Sequence, residues 1–273
     1  MREISAVVII VLVAFCFAAS GFTVVKEGKP MATIVVSKVV FDATPGQLSR
    51  YAKLKPEQKI KFAALDLQKY IEMMTGAKIE ILSDESQISG NVICVGASNY
   101  TKNIRNLNIP SGFTAERIEE GYTIFCRGNR LVLAGNDEGP YFGTYYAVVE
   151  FLRKLGIRWI LPGDFGEVIP TRSDIEVGEM NIVDKPAFRV RSWWCNEPAD
   201  MAVLHALWKI RNKMTIYDRD IICIPGDSWL RRYLPDPKLK DTRPELFGKN
   251  FDGTVNQYMA NLTNPETIKI VAD

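Results

Sequence analysis

Histidine is nearly absent from this chain, and its cysteines are few and widely spaced. The 273 residues contain one histidine, His205, and five cysteines. No Cys-x-x-Cys pair and no clustered histidine occurs, so the usual ligand spacing of a zinc site is missing. A lone histidine also gives no basis for a Ser-His-Asp set. We expect His205 to pack against or lie on a helix, and we predict no cofactor.

An excess of charge of either sign is also missing. Lysine and arginine total 34 and aspartate and glutamate total 32, without long runs of one sign. Proteins that bind nucleic acid usually carry a basic patch or stripe. Nucleic acid is therefore a poor candidate partner.

Only one long apolar run occurs, and it lies at the N-terminus. Residues 4–19 are almost free of polar side chains and follow the early cation Arg2. Small residues, Ala18 and Ser20, stand three and one before a cut ahead of Gly21, which is typical of a secretory signal peptide. We predict that residues 1–20 are removed and that the mature chain is secreted or periplasmic, with no membrane partner. The alternative is an uncleaved anchor, because about 16 apolar residues is only slightly short of the roughly 20 that span a bilayer.

Four cysteines remain after that cut: Cys94, Cys126, Cys195 and Cys223. Cys94 and Cys126 lie within apolar, strand-like runs, where a buried free thiol is the commoner state. Export permits disulfides, which remain the alternative.

The pattern of apolar residues up to residue 180 predicts helices and short strands. Helical spacing of apolar residues after Pro56 predicts a helix that Gly76 closes, and a second helix follows Gly139. Residues 127–130 carry a Gly-Asn centre that favours a hairpin. The run from Gly135 to Gly139 lacks the lysine of a phosphate-binding loop and is interpreted as a turn. The predicted strands are residues 31–40, 78–82, 91–95, 122–126, 131–134, 157–161, 168–169 and 175–177. This pattern favours an α/β domain with a mixed sheet and helices covering one face.

A polar connection at residues 181–186 predicts a domain boundary, which gives domains at 21–183 and 184–273. Beyond it we predict a strand at 188–194, a helix at 199–212 and a strand at 221–224, an order that suggests parallel β/α winding. Another helix is predicted to start near Pro265. A complete (β/α) barrel needs about 250 residues, so the second domain would hold only the start of a barrel.

Several segments resemble a known family. Residues 63–77, AALDLQKYIEMMTGA, are similar to the LQxYIxxMTGA helix in the N-terminal domain of bacterial α-glucuronidases and of the related domain of unknown function 4838. Matching segments follow in the same order at 130–136 (RLVLAGN), 143–152 (GTYYAVVEFL), 155–159 (LGIRW) and 161–163 (LPG). The resemblance covers about residues 33–273 and is thinner beyond the first domain. There, residues 186–189 (PAFR), 211–214 (RNKM), 243–247 (RPELF) and 264–266 (NPE) resemble the opening of the family's barrel-like domain. Gly226-Asp227-Ser228 stands where the family often has Gly-His-Ser.

The resemblance implies a first domain like the second domain of chitobiases and hexosaminidases, which is a non-catalytic support. Carbohydrate chemistry would belong to the barrel, with its acid and base on strands beyond residue 273. The expected function is thus that of the N-terminal part of an exported, α-glucuronidase-like glycoside hydrolase that degrades polysaccharide. Its expected partner is an oligo- or polysaccharide, including those that contain uronic acids. The alternative is an accessory module that binds carbohydrate or another partner without catalysis.

Candidate site residues follow the two predicted barrel strands. Glycoside cleavage needs a pair of carboxylates, and barrel active sites lie at the C-terminal ends of strands. These positions offer Glu197, Asp200 and Asp227, and each is interpreted as a solvated loop carboxylate, a sugar hydroxyl ligand, or a catalytic acid or base. Trp193 and Trp229 could stack on sugar rings. Arg191 could bind a uronic acid carboxylate through its guanidinium fork, with an interdomain salt bridge as the alternative. No residue is assigned a catalytic role.

Overall fold

The computed structural model describes residues 21–46, 48, 54–116, 118–188, 191, 199–215 and 238–272. These residues form two compact units, with residues up to 215 in the first and residues from 238 in the second. The predicted signal peptide lies outside the described residues. The predicted domains, 21–183 and 184–273, stay predictions.

The first unit alternates strands and helices along the chain. Its strands are β1 (Phe22–Lys26), β2 (Lys29–Pro30), β3 (Ala32–Val36), β4 (Ile81–Ser83), β5 (Asn91–Val95), β6 (Tyr122–Arg127), β7 (Arg130–Gly135), β8 (Arg158–Trp159), β9 (Glu167–Val168), β10 (Ile175–Val177) and β11 (Met180–Asp184). Its α-helices are α1 (Lys38–Asp42), α2 (Pro56–Thr75), α3 (Gly143–Lys154) and α4 (Ala202–Arg211). Short 3-10 turns occur at Asp164–Gly166 and Ala199–Met201.

A six-stranded mixed sheet is the centre of this unit. Its strand order is β11-β6-β7-β5-β3-β4. Strands β4, β3, β5 and β7 run parallel, and β6 runs antiparallel to both β7 and β11. A second, three-stranded sheet has the order β10-β1-β2. The expectation of an α/β fold with a mixed sheet is thereby confirmed, and the likeness to the chitobiase domain stays a prediction.

The ends of α2 follow from local chemistry. Pro56 occupies its first turn, where the missing amide proton costs nothing. Gly76 ends it with a φ of 75°, a left-handed conformation that suits glycine, and donates its amide proton to the Glu72 carbonyl. Between them, the apolar residues at helical spacing, such as Leu67 and Ile71, are fully buried.

Both faces of the mixed sheet are covered. Helices α2 and α3 pack on one face, over residues such as Ile34, Ile93 and Leu133. The other face buries a smaller set that includes Val35, Val92 and Val132. It is covered by side chains from irregular chain: Ile88, Tyr100, Ile104, Leu107 and Ile109. The sequence indicated only the helical cover, because the second cover has no regular period.

Two predicted elements differ in the structure. The strand expected at residues 31–40 ends at Val36, and α1 begins at Lys38. The Lys38 amide donates to the Asp84 carboxylate at 2.9 Å, so a residue 46 positions away fixes the start of the helix. The connection expected at 181–186 includes strand β11, which pairs with β6 at the edge of the sheet.

Helix α4 lies within the predicted 199–212 segment. Its buried apolar side chains are Ala206 and Ile210, whereas Leu204 is 36% exposed. The predicted strand at 221–224, and the one at 188–194 apart from Phe188 and Arg191, lie outside the described residues.

The second unit is small. It contains α5 (Leu239–Thr242), a 3-10 turn at Pro244–Leu246, β12 (Phe247–Lys249), β13 (Val255–Ala260) and α6 (Pro265–Ala272). Strands β12 and β13 form an antiparallel hairpin over a core of Leu246, Phe247 and Ala260. The helix predicted near Pro265 is confirmed as α6. Winding of a barrel stays a prediction.

Candidate functional site

Most of the site residues predicted from the sequence lie outside the described residues. These are Trp193, Glu197, Asp227 and Trp229. Arg191 is described, and so is Asp200, which is exposed next to the start of α4. Of the predicted site residues, the structure therefore describes only Arg191 and Asp200, and the sugar site stays a prediction.

The Arg191 guanidinium makes a close ion pair with Glu120. Its Nη2 lies 2.6 Å from the Glu120 carboxylate, and both side chains are largely buried. Its Nε donates to the Lys213 carbonyl at 2.5 Å, and its Nη1 donates to the Phe188 carbonyl at 2.6 Å. Arg191 thus forms a salt bridge, as the alternative stated, but Arg191 and Glu120 both lie within the first unit. A substrate role for Arg191 stays a prediction.

Arg211, at the end of α4, joins two acidic residues from distant parts of the first unit. Its Nη2 lies 3.0 Å from the Asp66 carboxylate on α2, and its Nη1 lies 3.0 Å from Glu167 on β9. All three side chains are at most 12% exposed. This bridge ties α4 to both elements.

Hydroxyl groups complete the Arg211 cluster. Tyr145 on α3 donates to the Asp66 carboxylate, and Tyr70 on α2 donates to Glu167 at 2.5 Å. The indole of Trp159 donates to the Tyr70 hydroxyl at 2.9 Å. Burial raises the pKa of both tyrosines, so they stay protonated and serve as donors.

A third cation, Lys213, follows directly after α4. Its ammonium lies 2.8 Å from Glu150 on α3 and 3.3 Å from the Tyr122 hydroxyl on β6. We call residues 199–215 the anchoring segment, because it binds the rest of the first unit at several points. Arg211 and Lys213 bind carboxylates of α2, β9 and α3, and the Trp208 indole donates to the Trp159 carbonyl of β8. Sequence reasoning missed Arg211 and Lys213. The available signal was Asp66, a carboxylate on the apolar face of α2 that requires a buried partner.

Another cation, the buried Lys59, lies near the start of α3. Its side chain is 1% exposed. The ammonium donates to the carbonyl oxygens of Asp137, Gly139 and Tyr141 at 3.0, 2.6 and 2.8 Å. It also lies 4.9 Å from the centre of the Phe142 ring. We call these three carbonyls the carbonyl nest. Burial lowers the pKa of Lys59 to about 8.

Two carboxylates accept amide protons at the first turn of α3. Asp137 accepts from the Thr144 amide at 3.1 Å, and Glu120 accepts from the Phe142 amide at 3.3 Å. Such contacts satisfy amides that have no partner within the helix. Burial raises the pKa of Asp137 to about 7 and also raises that of Glu120, against the opposing effect of Arg191. Residues 135–139, which the sequence predicted to form a turn, therefore belong to an ordered loop whose carbonyl oxygens accept from Lys59.

These clusters are suited to holding chain segments together. Asp66, Glu120 and Glu167 are engaged by arginine and tyrosine donors of the protein. A glycosidase pair, by contrast, has to face a sugar, with one carboxyl protonated. The described clusters therefore support a structural role more than acid and base catalysis.

Two surface clefts complete the description. One has a volume of about 390 Å³ and lies between α1, α2 and the chain entering β4; we call it the cationic cleft. It is lined by Phe41, Lys61, Leu65, Gln68, Lys78, Ile79, Glu80 and Ile81. The other, of about 270 Å³, lies beside β6 and β11.

The described residues contain no cluster of metal ligands and no membrane-spanning helix. There, no group of three histidine, cysteine, aspartate or glutamate side chains is arranged to hold a metal ion. Within the same residues, no helix has the length and apolar character to cross a membrane. The thiols of Cys94 and Cys126 are free and buried, as the sequence predicted.

Comparison with known proteins gives a distant likeness among solved structures. No protein-family model matches the chain, and no curated protein matches it. Among solved structures, the chain is similar to a family GH115 4-O-methyl-alpha-glucuronidase with specificity for decorated arabinogalactans, with 17% identity and a TM-score of 0.38. The match covers 62% of this chain and 19% of that one, so this chain spans about a fifth of that enzyme's length.

Proposed function

We propose that this chain is the N-terminal part of an exported, carbohydrate-active protein related to glycoside hydrolases. In this proposal the first unit is a non-catalytic support that holds the following chain in place. The observation that carries the support role is the buried bridge from Arg211 to Asp66 and Glu167. Removing one partner of a buried ion pair while the other stays buried typically costs about 3–5 kcal/mol, so the docked segment depends on Arg211 being present to pair with the two carboxylates.

The carbohydrate part of the proposal rests on the residues that resemble the α-glucuronidase N-terminal domain. One link connects that motif to the ion pairs. Asp66 lies within the segment 63–77, and its carboxylate binds Arg211, which opens the RNKM run at 211–214. Two segments of the resemblance are thus in direct contact. Activity on glucuronides, degradation of polysaccharide and removal of residues 1–20 during export are the finer parts of the same proposal.

A second candidate function is an accessory module that binds carbohydrate without catalysis. The cationic cleft favours it, because that cleft combines apolar walls with several polar groups. The two functions are compatible, since a support domain can also carry a binding site.

Hydrogen exchange tests the support role. Arg211→Met removes both ion pairs, and we expect at least about tenfold faster exchange of the α4 amides, with β5 and β7 still protected. Arg105→Met, at an exposed position, is the matched control and should leave exchange unchanged. Unchanged exchange in α4 of Arg211→Met would show that the bridge does not hold the segment. Asp66→Asn changes the partner of Arg211 on α2, and it should likewise speed exchange of the α4 amides and leave β5 and β7 protected.

A further inference from the structure

The cationic cleft has the composition of a small-molecule site. Its volume of about 390 Å³ lies within the range of roughly 300–1,000 Å³ that such sites occupy. Leu65 and Ile81, both partly exposed, supply apolar surface, and Phe41, which is 36% exposed, supplies an aromatic surface. None of these residues takes part in the ion pairs that hold the anchoring segment.

Lys61 is fixed in position at this cleft. Its ammonium donates to the Phe41 carbonyl at 2.8 Å and lies 4.9 Å from the centre of the Phe41 ring. An ammonium group has three donors, so two of them remain for solvent or a ligand. The cation and the ring therefore have a defined mutual arrangement, which suits a ligand that has both a charged group and an apolar face.

Gln68 supplies a neutral polar group with a defined orientation. Its Nε2 donates to the Ile79 carbonyl at 2.6 Å. Because a carbonyl oxygen can only accept, this contact identifies which end of the amide carries the hydrogens. The Gln68 Oε1 is thereby assigned as an acceptor, and a ligand hydroxyl is a suitable donor to it.

Charge at the cleft favours an anion. Lys61 and Lys78 contribute two positive charges, and Glu80 contributes one negative charge. Lys78 is exposed, and no described residue forms an ion pair with it. The lining thus has a net positive charge, a hydroxyl acceptor and an aromatic surface.

We propose that the cationic cleft binds a carboxylated sugar. The sugar carboxylate would lie at Lys61 and Lys78, a sugar hydroxyl at Gln68, and the apolar face of the sugar ring against Phe41. The choice of a sugar rests on the proposed carbohydrate function, whereas the preference for a carboxylate rests on the cleft itself. The site would give the first unit a binding role of its own, separate from holding the anchoring segment.

Calorimetric titration with two matched sugars tests this site. Methyl glucuronide and methyl glucoside differ only in that a carboxylate replaces a hydroxymethyl group. We expect the glucuronide to bind about tenfold more tightly or better, and its affinity to fall with added salt. Lys78→Gln should weaken glucuronide binding about five- to tenfold and leave glucoside binding unchanged. Lys69→Gln, an exposed lysine of the same helix α2 outside the cleft, is the control.

Further probes separate the parts of the proposal. Equal binding of the two sugars, or no effect of Lys78→Gln, would overturn the carboxylate site. Binding of cyclohexanecarboxylate but not of the glucuronide would overturn the sugar assignment and leave an anion site, and tighter binding of inorganic phosphate would overturn the carboxylate assignment.

Hydrogen exchange in α4 of the Arg211→Met variant tests the support role and does not depend on sugar binding, so the two proposals can fail separately. Weaker binding of both sugars to Phe41→Ala supports contact with the ring, and unchanged binding overturns that contact.

Discussion

The Lys59 ammonium lies 2.6 Å from the carbonyl oxygen of Gly139, eighty residues further along the chain. Two more carbonyls of the same loop, from Asp137 and Tyr141, complete the carbonyl nest. A charged group without a carboxylate in contact is costly to bury, but here each ammonium proton has an acceptor. The contact joins α2 to the loop that leads into α3.

Lys59→Met should lower the free energy of unfolding by about 2–4 kcal/mol, because it leaves three buried carbonyls without their donor. Urea unfolding, followed by circular dichroism, measures this change. Lys69→Met, at an exposed position of the same helix, should change it by less than about 0.5 kcal/mol. Equal effects of the two variants would show that the nest contributes nothing specific.

The buried Asp137 predicts a particular pH dependence of stability. Its pKa is raised by burial to about 7, from an ordinary value near 3.8. The folded state therefore binds more protons than the unfolded state between these values, and stability from this group is lost as pH rises towards 7. We therefore compare the free energy of unfolding of the wild type with that of Asp137→Asn. The wild-type value minus the variant value should decrease as pH rises from 4 to 7.5. Urea titrations across this range test the sign, and a flat or rising difference would contradict it.

Gly143 lies where two backbone segments approach each other. A Cβ atom there would lie 2.3 Å from the Asn136 nitrogen and 2.4 Å from the Gly121 oxygen. Gly143→Ala should therefore destabilise the protein by at least about 2 kcal/mol, because backbone rather than a flexible side chain has to move. Gly178→Ala is the control, since a Cβ atom there meets nothing within 4 Å. Thermal unfolding of both variants gives the comparison, and a tolerated Gly143→Ala would contradict the packing.

Alkylation tests the two buried thiols. Burial raises the pKa of both Cys94 and Cys126 to about 11, and the thiolate is the reactive form. At pH 8 we expect iodoacetamide to leave both residues unmodified in the folded protein and to modify them in guanidinium chloride. Peptide mass spectrometry resolves the sites. Labelling of the folded protein at the unfolded rate would show that this part of the sheet opens readily.

Activity assays address the catalytic part of the proposal. In line with the proposed support role, we expect the 273-residue chain to release no product from aryl glycosides or aryl glucuronides, because the carboxylates of the described clusters are held by arginine and tyrosine donors of the protein. Turnover that is abolished by Glu197→Gln or Asp227→Asn would contradict this expectation and would place catalysis within this chain.

Elements with a strong local signal could be predicted from the sequence. The helix α2 has both a proline start and a glycine end, and the β6–β7 hairpin has its Gly-Asn turn at Gly128. Strand β11 was missed, because its five residues are mostly polar or exposed and only pairing with β6 makes them a strand. Helix α1 was missed because Asp84, which binds its first amide, is distant in sequence.

The candidate site was harder to predict for the same reason. The alternatives weighed for Arg191 included a salt bridge, but nothing in the sequence pointed to Glu120 as its partner. Buried ion pairs such as Arg211 with Asp66 join residues 145 positions apart, and such pairings are properties of the folded chain. The cationic cleft likewise combines α1, α2 and the chain entering β4, so no single segment of the sequence contains its pattern.

Strand β1 begins at Phe22, one residue after the proposed cleavage point ahead of Gly21, and Phe22 is 3% exposed and pairs with Val177 of β10. A peptidase needs several residues on both sides of the bond that it cuts. Once β1 has joined β10, the residues on the C-terminal side of that bond are held in a sheet. Removal of residues 1–20 would therefore have to precede the pairing, and β10 is synthesised about 150 residues after β1. In the proposed export, the position of β1 therefore requires that release of the new N-terminus comes first and that closure of the small sheet comes later.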